Sequence, residues 1–251
     1  MQYHYGYSLC ISTPVGCKMG CAFCASTLHG CVRNLSAGDM LAQVSLANQY
    51  LGACGKVGHV VLMGSGEPLD NYENVVAFLR LINHPDGLNL SLRSISVSTC
   101  GLVPEINRLA GEKLPITLSI SLHAPNDAIR RQIMPIASRY PIEELMSAVR
   151  AYVEQTGRRV VFEYALIDRL NSEPAHAREL AKLVAGLQCH VNLIPLNRVA
   201  ERNLEPASPR AVQTFLDTLT ALHVSATVRR EMGADISGAC GQLRNQHLKD
   251  T

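Results

Sequence analysis

Three cysteines near the start of the chain are spaced closely enough to act together on one metal centre. Cys17, Cys21 and Cys24 form the pattern C-x3-C-x2-C within the stretch CKMGCAFC. A structural zinc site usually has four Cys or His ligands, so Cys10 or His29 would have to complete it. A thioredoxin-like redox pair would use only the last two cysteines of the pattern and leave the first without a role.

An iron–sulfur cluster is the interpretation that uses all three thiols and needs no fourth. A [4Fe–4S] cluster held by three cysteine thiolates leaves one iron open to another ligand. An open coordination position is typical of catalytic metal sites, whereas structural sites are closed. We therefore favour a cluster over zinc, on the spacing and on the position of the motif after the first predicted strand.

Short apolar runs alternate with helical patterns along most of the chain. The predicted strands are 8–13, 57–63, 94–99, 116–121, 160–167, 190–194 and 225–229, and the predicted helices are 37–51, 72–82, 103–110, 142–155, 174–187 and 209–222. Ser208 and Asn71 are the predicted N-caps of the last and the second helix. Runs of Val, Ile and Leu with little alternation indicate strands buried on both faces, as in a parallel sheet covered by helices. This rhythm alone fits either a barrel or a doubly wound sheet.

Residues that suit binding or catalysis follow the ends of several predicted strands. The cysteine motif follows the first strand, the turn 64–68 follows the second, and Ser98 lies at the end of the third. His123 and Asn197 follow the fourth and sixth strands. Because ligand-binding loops follow the carboxyl ends of parallel strands, we expect these groups to converge on one rim.

Composition limits the class of protein. The chain has 251 residues, of which 47% are hydrophobic and 18% charged, and its net charge of +2 permits an acidic partner without requiring one. The longest apolar runs are far shorter than the roughly 20 residues of a membrane span, and no secretory signal is visible. Nine cysteines in such a chain favour metal-binding or catalytic thiols over a disulfide framework. We expect one cytoplasmic domain without a membrane segment.

Six blocks of the sequence together resemble one enzyme family. Phe23, an aromatic residue before the last cysteine of the motif, is typical of the radical SAM superfamily, whose open iron binds S-adenosylmethionine (SAM). The blocks are CISTPVGCKMGCAFCASTLHGCVRNL (10–35), GSGEP (64–68), SVSTCG (96–101), SLHAPND (121–127), IPLN (194–197) and RREMGADISGACGQL (229–243). In this order, over essentially the whole chain, they resemble the RlmN/Cfr family of adenine methyltransferases. The resemblance implies an α/β fold, a partial (βα)6-type barrel of parallel strands.

The resemblance also implies a set of cofactor ligands. A [4Fe–4S] cluster would be bound by Cys17, Cys21 and Cys24. SAM would contact Gly66, Glu67, Ser98, Ser121, Leu122, His123 and Asn197. Considered alone, the 64–68 turn is more often a plain strand-to-helix turn, and a single histidine is more often a core or loop residue; the matching blocks raise both to candidates.

Two isolated thiols receive roles from the same resemblance. Carbon 2 of adenine is electron-poor and cannot attack the methyl group of SAM directly, so radical chemistry supplied by the cofactor is needed. Two SAM molecules would be used per turnover: one methylates Cys240, and the other is cleaved at the cluster to activate that methyl group. Cys10 would resolve the resulting protein–RNA thioether, with a Cys10–Cys240 disulfide forming as the product leaves. Four further cysteines are expected to be small core residues: Cys31, Cys54, Cys100 and Cys189.

The implied partners are RNA and an electron donor. The resemblance points to 23S rRNA, with tRNA as a second substrate, to a reductant such as flavodoxin, and by default to a monomer. Arg229 and Arg230 are the first candidates for phosphate contacts because they lead into the Cys240 segment, and the target adenine must be unpaired or flipped. Weaker candidates are the other basic pairs, Arg130, Arg131, Arg158, Arg159, Arg198 and Arg202.

The sequence departs from the family at its start. Family members normally carry an N-terminal helical RNA-binding domain and an acidic proton acceptor upstream of Cys10, and neither has a counterpart here. We therefore expect residues 1–251 to form one radical SAM core domain and assign no general base.

Two alternatives to a C2 methyltransferase stay open. One is a Cfr-like enzyme that methylates adenine C8 and confers antibiotic resistance, and the other is a truncated, non-catalytic RNA- or metal-binding remnant. The stretch CASTLHGCVRNL resembles the C2 branch more closely, since the C8 branch tends to have CATG after its last cluster cysteine.

Overall fold

A computed structural model describes residues 1–4, 6–229 and 240–242. Its strands are β1 (Gln2–Tyr3), β2 (Gly6–Cys10), β3 (Pro14–Gly16), β4 (Cys31–Asn34), β5 (Val57–Leu62), β6 (Ile95–Thr99), β7 (Thr117–Ser121), β8 (Val160–Leu166), β9 (Cys189–Pro195) and β10 (Ala226–Val228). Its α-helices are α1 (Ala37–Leu51), α2 (Tyr72–Ile82), α3 (Val103–Gly111), α4 (Asp127–Ile133), α5 (Ile142–Thr156), α6 (Pro174–Val184) and α7 (Pro209–Ala221).

Eight of these strands form one curled sheet in the order β1-β2-β5-β6-β7-β8-β9-β10. The pair β1–β2 is antiparallel, and every other neighbouring pair in this sheet is parallel. Strands β3 and β4 form a separate antiparallel hairpin. The predicted partial barrel of parallel strands is confirmed.

The two faces of the central strands differ in chemistry. Val97, Ile120 and Phe162 are fully buried in the apolar core beneath the helices. On the opposite face, Ser98 of β6 and Glu163 of β8 line a cleft. Strands β7 and β8 are largely buried on both faces, as expected. In β6 and β7, however, small polar residues alternate with apolar ones, so the face toward the cleft is not apolar.

Two segments differ from the sequence-based expectation. The first long strand ends at Cys10 because the chain then enters the β3–β4 hairpin, which was not predicted. Helix α4 was not predicted either, because seven residues are too few for a clear helical period.

Only one of the two predicted N-caps is correct. The Ser208 hydroxyl accepts a hydrogen bond from the Ala211 N–H at 3.2 Å, so it caps α7. Asn71 makes no side-chain cap. Its Nδ2 instead donates to the carbonyl oxygens of Thr13 at 2.8 Å and Leu35 at 2.7 Å, and so holds the hairpin against the start of α2.

The helices cover the outer face of the sheet with apolar stripes. In α2, for example, Phe78, Leu79 and Ile82 are fully buried, whereas Leu81 is 48% exposed. Within the described ranges, none of the helices has the length and apolar character that crossing a membrane requires.

Truncation of Phe162 tests the position of the core. Because this side chain is fully buried, Phe162→Ala should lower the free energy of unfolding by about 3–5 kcal/mol through lost burial and a residual cavity. Urea denaturation of the metal-free protein measures the change. The control Leu81→Ala, at an exposed position, should change stability by less than about 0.5 kcal/mol; equal effects of the two substitutions would contradict the assignment of the core.

Candidate active site

The carboxyl ends of the parallel strands surround one cleft, as expected from the sequence. Ten of the predicted site residues line it: Cys17, Cys21, Cys24, Gly66, Glu67, Ser98, Ser121, His123, Asn197 and Cys240. Two others, Cys10 and Leu122, do not lie in its wall. The cleft thus brings together residues from nearly the full length of the chain.

The cysteine motif forms an irregular loop between the hairpin strands. Cys17 and Cys21 are buried and Cys24 is half-buried. A backbone hydrogen bond holds the loop against α4: the Ala22 N–H donates to the carbonyl of Ile133, the last residue of that helix, at 2.8 Å. All three cysteines line the same cleft, and the loop that carries them is held by this backbone hydrogen bond.

The donor set suits a cluster better than a single ion. Burial raises the pKa of Cys17 to about 12 and that of Cys21 still further, with the nearby Glu67 and the neighbouring thiols adding to the effect, so binding iron would displace thiol protons. Among the described residues, no three His, Cys, Asp or Glu side chains converge on one metal position. A cluster does not require such convergence because each thiolate binds a different iron. His29, the alternative fourth zinc ligand, is exposed and lies outside the cleft wall.

The turn after β5 depends on two predicted residues. Gly66 has a φ of +97°, and a Cβ at this position would overlap the ring of Pro14, so only glycine fits. The buried Glu67 carboxylate accepts hydrogen bonds from the N–H groups of Leu69 at 3.0 Å and Cys100 at 2.7 Å. Burial raises the pKa of Glu67, and these hydrogen bonds oppose that shift. One carboxylate oxygen thus caps the turn after β5, and the other connects it to the loop after β6.

The serines of β6 and β7 face the cleft side by side. The hydroxyl oxygens of Ser98 and Ser121 lie 3.4 Å apart. The adjacent Leu122 is fully buried in the core. Its N–H donates to the Glu163 carbonyl at 3.1 Å, and its carbonyl accepts from Arg130 Nε at 3.2 Å. The Leu122 backbone therefore ties the end of β7 to β8 and to Arg130, while its side chain packs in the core.

His123 presents a neutral imidazole to the cleft. Its φ of +54° lies in the left-handed region, and its Nδ1 accepts a hydrogen bond from the Ala165 N–H at 2.9 Å. Burial, together with the positive charge of Arg130, lowers the pKa of His123 to about 3. Since Nδ1 is an acceptor, the ring proton is on Nε2. The edge of the ring contacts Phe23 of the motif, with centroids 4.7 Å apart.

Asn171, which sequence reasoning missed, holds the His123 turn in place. This residue is fully buried. Its Nδ2 donates to the carbonyls of His123 and Ala165, each at 2.7 Å, and its Oδ1 accepts from the Ile167 N–H at 2.7 Å. An asparagine in a loop carries no sequence signal for such a role, because its partners are brought to it only by the fold.

Cys240 lies beside the cysteine motif. Asn197 Nδ2 donates to the Cys240 carbonyl at 2.9 Å, and the Ala25 N–H donates to the Gly241 carbonyl at 2.7 Å. The Asn197 Oδ1 atom is buried and has no hydrogen-bond partner among the described residues. It is an acceptor available to a donor group of a ligand in the cleft.

Cys10 lies close enough to Cys240 for their charges to interact. Burial raises the pKa of Cys10 to about 11, and a negative charge on Cys240 would raise it too. Both are free thiols in this structure, and the disulfide expected between them during product release stays a prediction. The Arg229 guanidinium opposes these shifts at both thiols, and its Nη1 lies 4.0 Å from the buried Glu163 carboxylate.

The remaining cysteines differ from the core expectation. Cys100 is buried, as expected, but packs against Cys21 and lines the cleft. Cys54 is exposed, so its assignment to the core is wrong. Cys31 and Cys189 are half-buried.

The basic residues proposed for RNA contacts have diverse environments. Arg130 is fully buried, so its suggested contact with RNA phosphates is wrong. Arg202 points inward, with Nη2 donating to the Cys24 carbonyl at 3.3 Å. Arg229 lines the cleft, and Arg230 lies outside the described residues.

Substitution of His123 tests its neutral state. The folded protein holds the pKa of His123 near 3, whereas the usual value is 6.5, so the unfolded chain binds the proton first as pH falls. Its contribution to stability is complete above pH 6.5 and declines between pH 6.5 and pH 3. His123→Gln should therefore show a shallower loss of stability across this window, measured by urea unfolding of metal-free protein. His84→Gln, at an exposed site, should keep the wild-type slope; an unchanged slope in His123→Gln would refute the assignment.

Comparison with known proteins identifies the family. Residues 11–181 match the Radical SAM superfamily. The "Probable dual-specificity RNA methyltransferase RlmN" of Clostridium novyi (strain NT) is 51% identical over 250 residues, which are 100% of this chain and 72% of that protein. The protein of the same name from Alkaliphilus oremlandii (strain OhILAs) is 53% identical over 250 residues, with the same coverage of 100% and 72%.

Solved structures agree with this result. A radical SAM methyltransferase from Sphaerobacter thermophilus superposes with a TM-score of 0.95 at 48% identity, covering 97% of this chain and 72% of that one. Streptococcus suis SuiB bound to S-adenosylmethionine has a TM-score of 0.67 at 13% identity, covering 89% of this chain and 50% of that one, which is a likeness of fold alone. The chain belongs to the radical SAM superfamily and, within it, to the RlmN family of radical SAM methyltransferases.

Proposed function

We propose that this chain methylates carbon 2 of an adenine in 23S rRNA and in tRNA, through a methylated Cys240. The observation that carries the proposal is the placement of Cys240 beside the cysteine motif, through the hydrogen bonds of Asn197 to the Cys240 carbonyl and of Ala25 to the Gly241 carbonyl. A methyl carrier has to lie next to the centre that activates the methyl group. The names of the relatives support RNA as the substrate.

The cleft residues fit a cluster and SAM. Cys17, Cys21 and Cys24 would hold a [4Fe–4S] cluster, and bound SAM would supply the one-electron chemistry that adenine C2 requires. The backbone around Gly66 would face the SAM amino group, because the Glu67 carboxylate is engaged by other N–H groups. The further SAM contacts are assigned to the cleft groups Ser98, Ser121, His123 and Asn197.

The partner-free Asn197 Oδ1 supports this assignment. An acceptor buried without a partner costs free energy unless a ligand satisfies it. A SAM ammonium or ribose hydroxyl supplies the donor that this atom lacks. The neutral His123 adds an N–H donor without adding a positive charge beside the sulfonium.

Arg229 prepares Cys240 for methylation. The sulfur must be a thiolate to form the S–C bond with the SAM methyl group, which leaves S-adenosylhomocysteine. Burial raises the pKa of the Cys240 thiol, and the Arg229 guanidinium opposes this effect. Once the methyl carbon on Cys240 is bonded to adenine C2, the thiolate of Cys10 would attack the Cys240 sulfur. The S–S bond forms as the S–C bond breaks, and the freed carbon takes up a proton to become the methyl group. One SAM is used for this methylation and a second for radical chemistry, which gives two per turnover.

The cellular setting follows from the same proposal. Reduction of the site requires an external one-electron donor of the flavodoxin class. The RNA-modifying relatives support a cytoplasmic location. Residues 1–251 would act as one radical SAM core domain and as a monomer.

Anaerobic reconstitution with iron and sulfide tests the cluster site. We expect about four iron atoms per chain and, after reduction and addition of SAM, the release of 5′-deoxyadenosine. Cys17→Ala should lose both, whereas Cys54→Ala, which removes an exposed thiol outside the cleft, should keep both. Tight binding of zinc without iron or sulfide would overturn the proposal and favour a metal-binding remnant.

Analysis of modified RNA tests the position of methylation and the two thiols. The reconstituted protein should convert adenosine in 23S rRNA fragments to 2-methyladenosine, detected by mass spectrometry of nucleosides. Cys10→Ala should trap a covalent protein–RNA adduct, and the double variant with Cys240→Ala should form none, because the carrier sulfur is missing. A product consisting only of 8-methyladenosine would contradict the C2 assignment, and normal turnover by Cys10→Ala would rule out its resolving role.

A further inference from the structure

Arg130 is a fully buried cation that the proposed reaction leaves without a role. Its guanidinium donates to the backbone carbonyls of Cys100 at 2.7 Å, Leu122 at 3.2 Å, Tyr140 at 3.4 Å and Ser121 at 3.5 Å. All four acceptors are neutral. The hydrogen bonds engage each of the three guanidinium nitrogens, but they do not neutralise its charge.

No carboxylate in the described part of the chain pairs directly with this charge. Asp127, three residues earlier in α4, attracts it only at longer range. The Asp127 carboxylate instead accepts from the Ile142 N–H at 3.0 Å and lies 3.9 Å from Arg131. An arginine stays charged even when buried, so this site contains a cation without a direct counter-ion.

The Arg130 guanidinium contacts a residue that packs against the cysteine motif. Cys100, whose carbonyl accepts the shortest of the Arg130 hydrogen bonds, packs against Cys21 and Met134. Residue Ile133, at the end of the same helix, accepts a hydrogen bond from the motif residue Ala22 at 2.8 Å. Two separate contacts, through Cys100 and through Ile133, thus connect the helix that carries Arg130 with the cysteine motif.

We propose that Arg130 is a positioning residue whose buried charge balances the negative charge of a cluster bound by Cys17, Cys21 and Cys24. A cluster with three thiolate ligands becomes more negative when it takes up an electron. A fixed cation in a low-dielectric environment favours that state, so Arg130 raises the reduction potential and eases electron transfer from a flavodoxin-class donor. The inference rests on the cluster site of the proposed function.

Three variants separate charge from structural support. Arg130→Gln removes the charge, whereas Arg130→Lys retains it and loses the planar set of donors. Arg131→Gln is the matched control, because it removes the same charge from the next residue, whose side chain is 51% exposed and screened by solvent and salt. Each reconstituted protein, without SAM, is titrated with a reductant in the presence of redox mediators. Electron paramagnetic resonance of the reduced cluster gives the midpoint potential, and the iron content of each protein is measured separately.

We expect the midpoint potential of the cluster to depend on whether residue 130 carries a positive charge. Arg130→Gln should shift it to a more negative potential, while Arg130→Lys and Arg131→Gln should stay near the wild-type value. A wild-type midpoint in an iron-replete Arg130→Gln protein would overturn the inference, as would equal shifts in the Gln and Lys variants. If Arg130→Gln fails to fold, the Arg130→Lys midpoint is measured across a range of pH, because a buried lysine can lose its proton; a midpoint that stays shifted at the acidic end, where the lysine is charged, overturns the inference.

The same experiment distinguishes this inference from the proposed function. Wild-type protein that takes up no [4Fe–4S] cluster would refute both. Wild-type protein that takes up the cluster while the variants show no charge-dependent shift would refute only the role of Arg130.

Discussion

Two hydrogen bonds fix the backbone around Cys240, and one of them joins it to the cysteine motif near the start of the chain. The Ala25 N–H follows directly after the last motif cysteine and donates to Gly241, while Asn197 donates from the loop after β9. The parallel sheet makes this meeting possible, because all its strands deliver their carboxyl ends to one rim. Cys240 and the cysteine motif near the start of the chain thus become neighbours in the fold.

The rim is held by buried polar groups more than by apolar contacts. The Glu67 carboxylate connects the loops after β5 and β6. Arg130 connects the loops after β6 and β7, and Asn171 fixes the left-handed turn at His123. Each group is costly to bury, and each has hydrogen-bond partners that offset the cost. Because these partners come from separate loops, the loss of one group would disturb the geometry of several cleft residues at once.

The sequence predicted the strands and helices better than the buried polar residues that connect their loops. The order of the long strands and helices follows from apolar runs and capping residues, and the strand-end rule correctly placed most candidate groups around one cleft. The supporting roles of Asn171, Arg130 and Arg202 were not predicted. Each of them binds at least one backbone carbonyl that is distant in sequence, namely that of His123, Cys100 or Cys24, and many polar side chains could have such a role. Leu122 is the opposite example: it lies in a matching block and was a predicted SAM contact, but its side chain packs in the core.

The open sheet has a further consequence, which concerns association between copies. A sheet that does not close exposes unpaired N–H and C=O groups at both edges, and such edges are sites of strand-to-strand aggregation. In the described part of the chain, the edges are β1 with two residues and β10 with three. Strands this short offer another molecule few backbone groups to pair with. The described edges therefore limit strand-to-strand association although the sheet stays open.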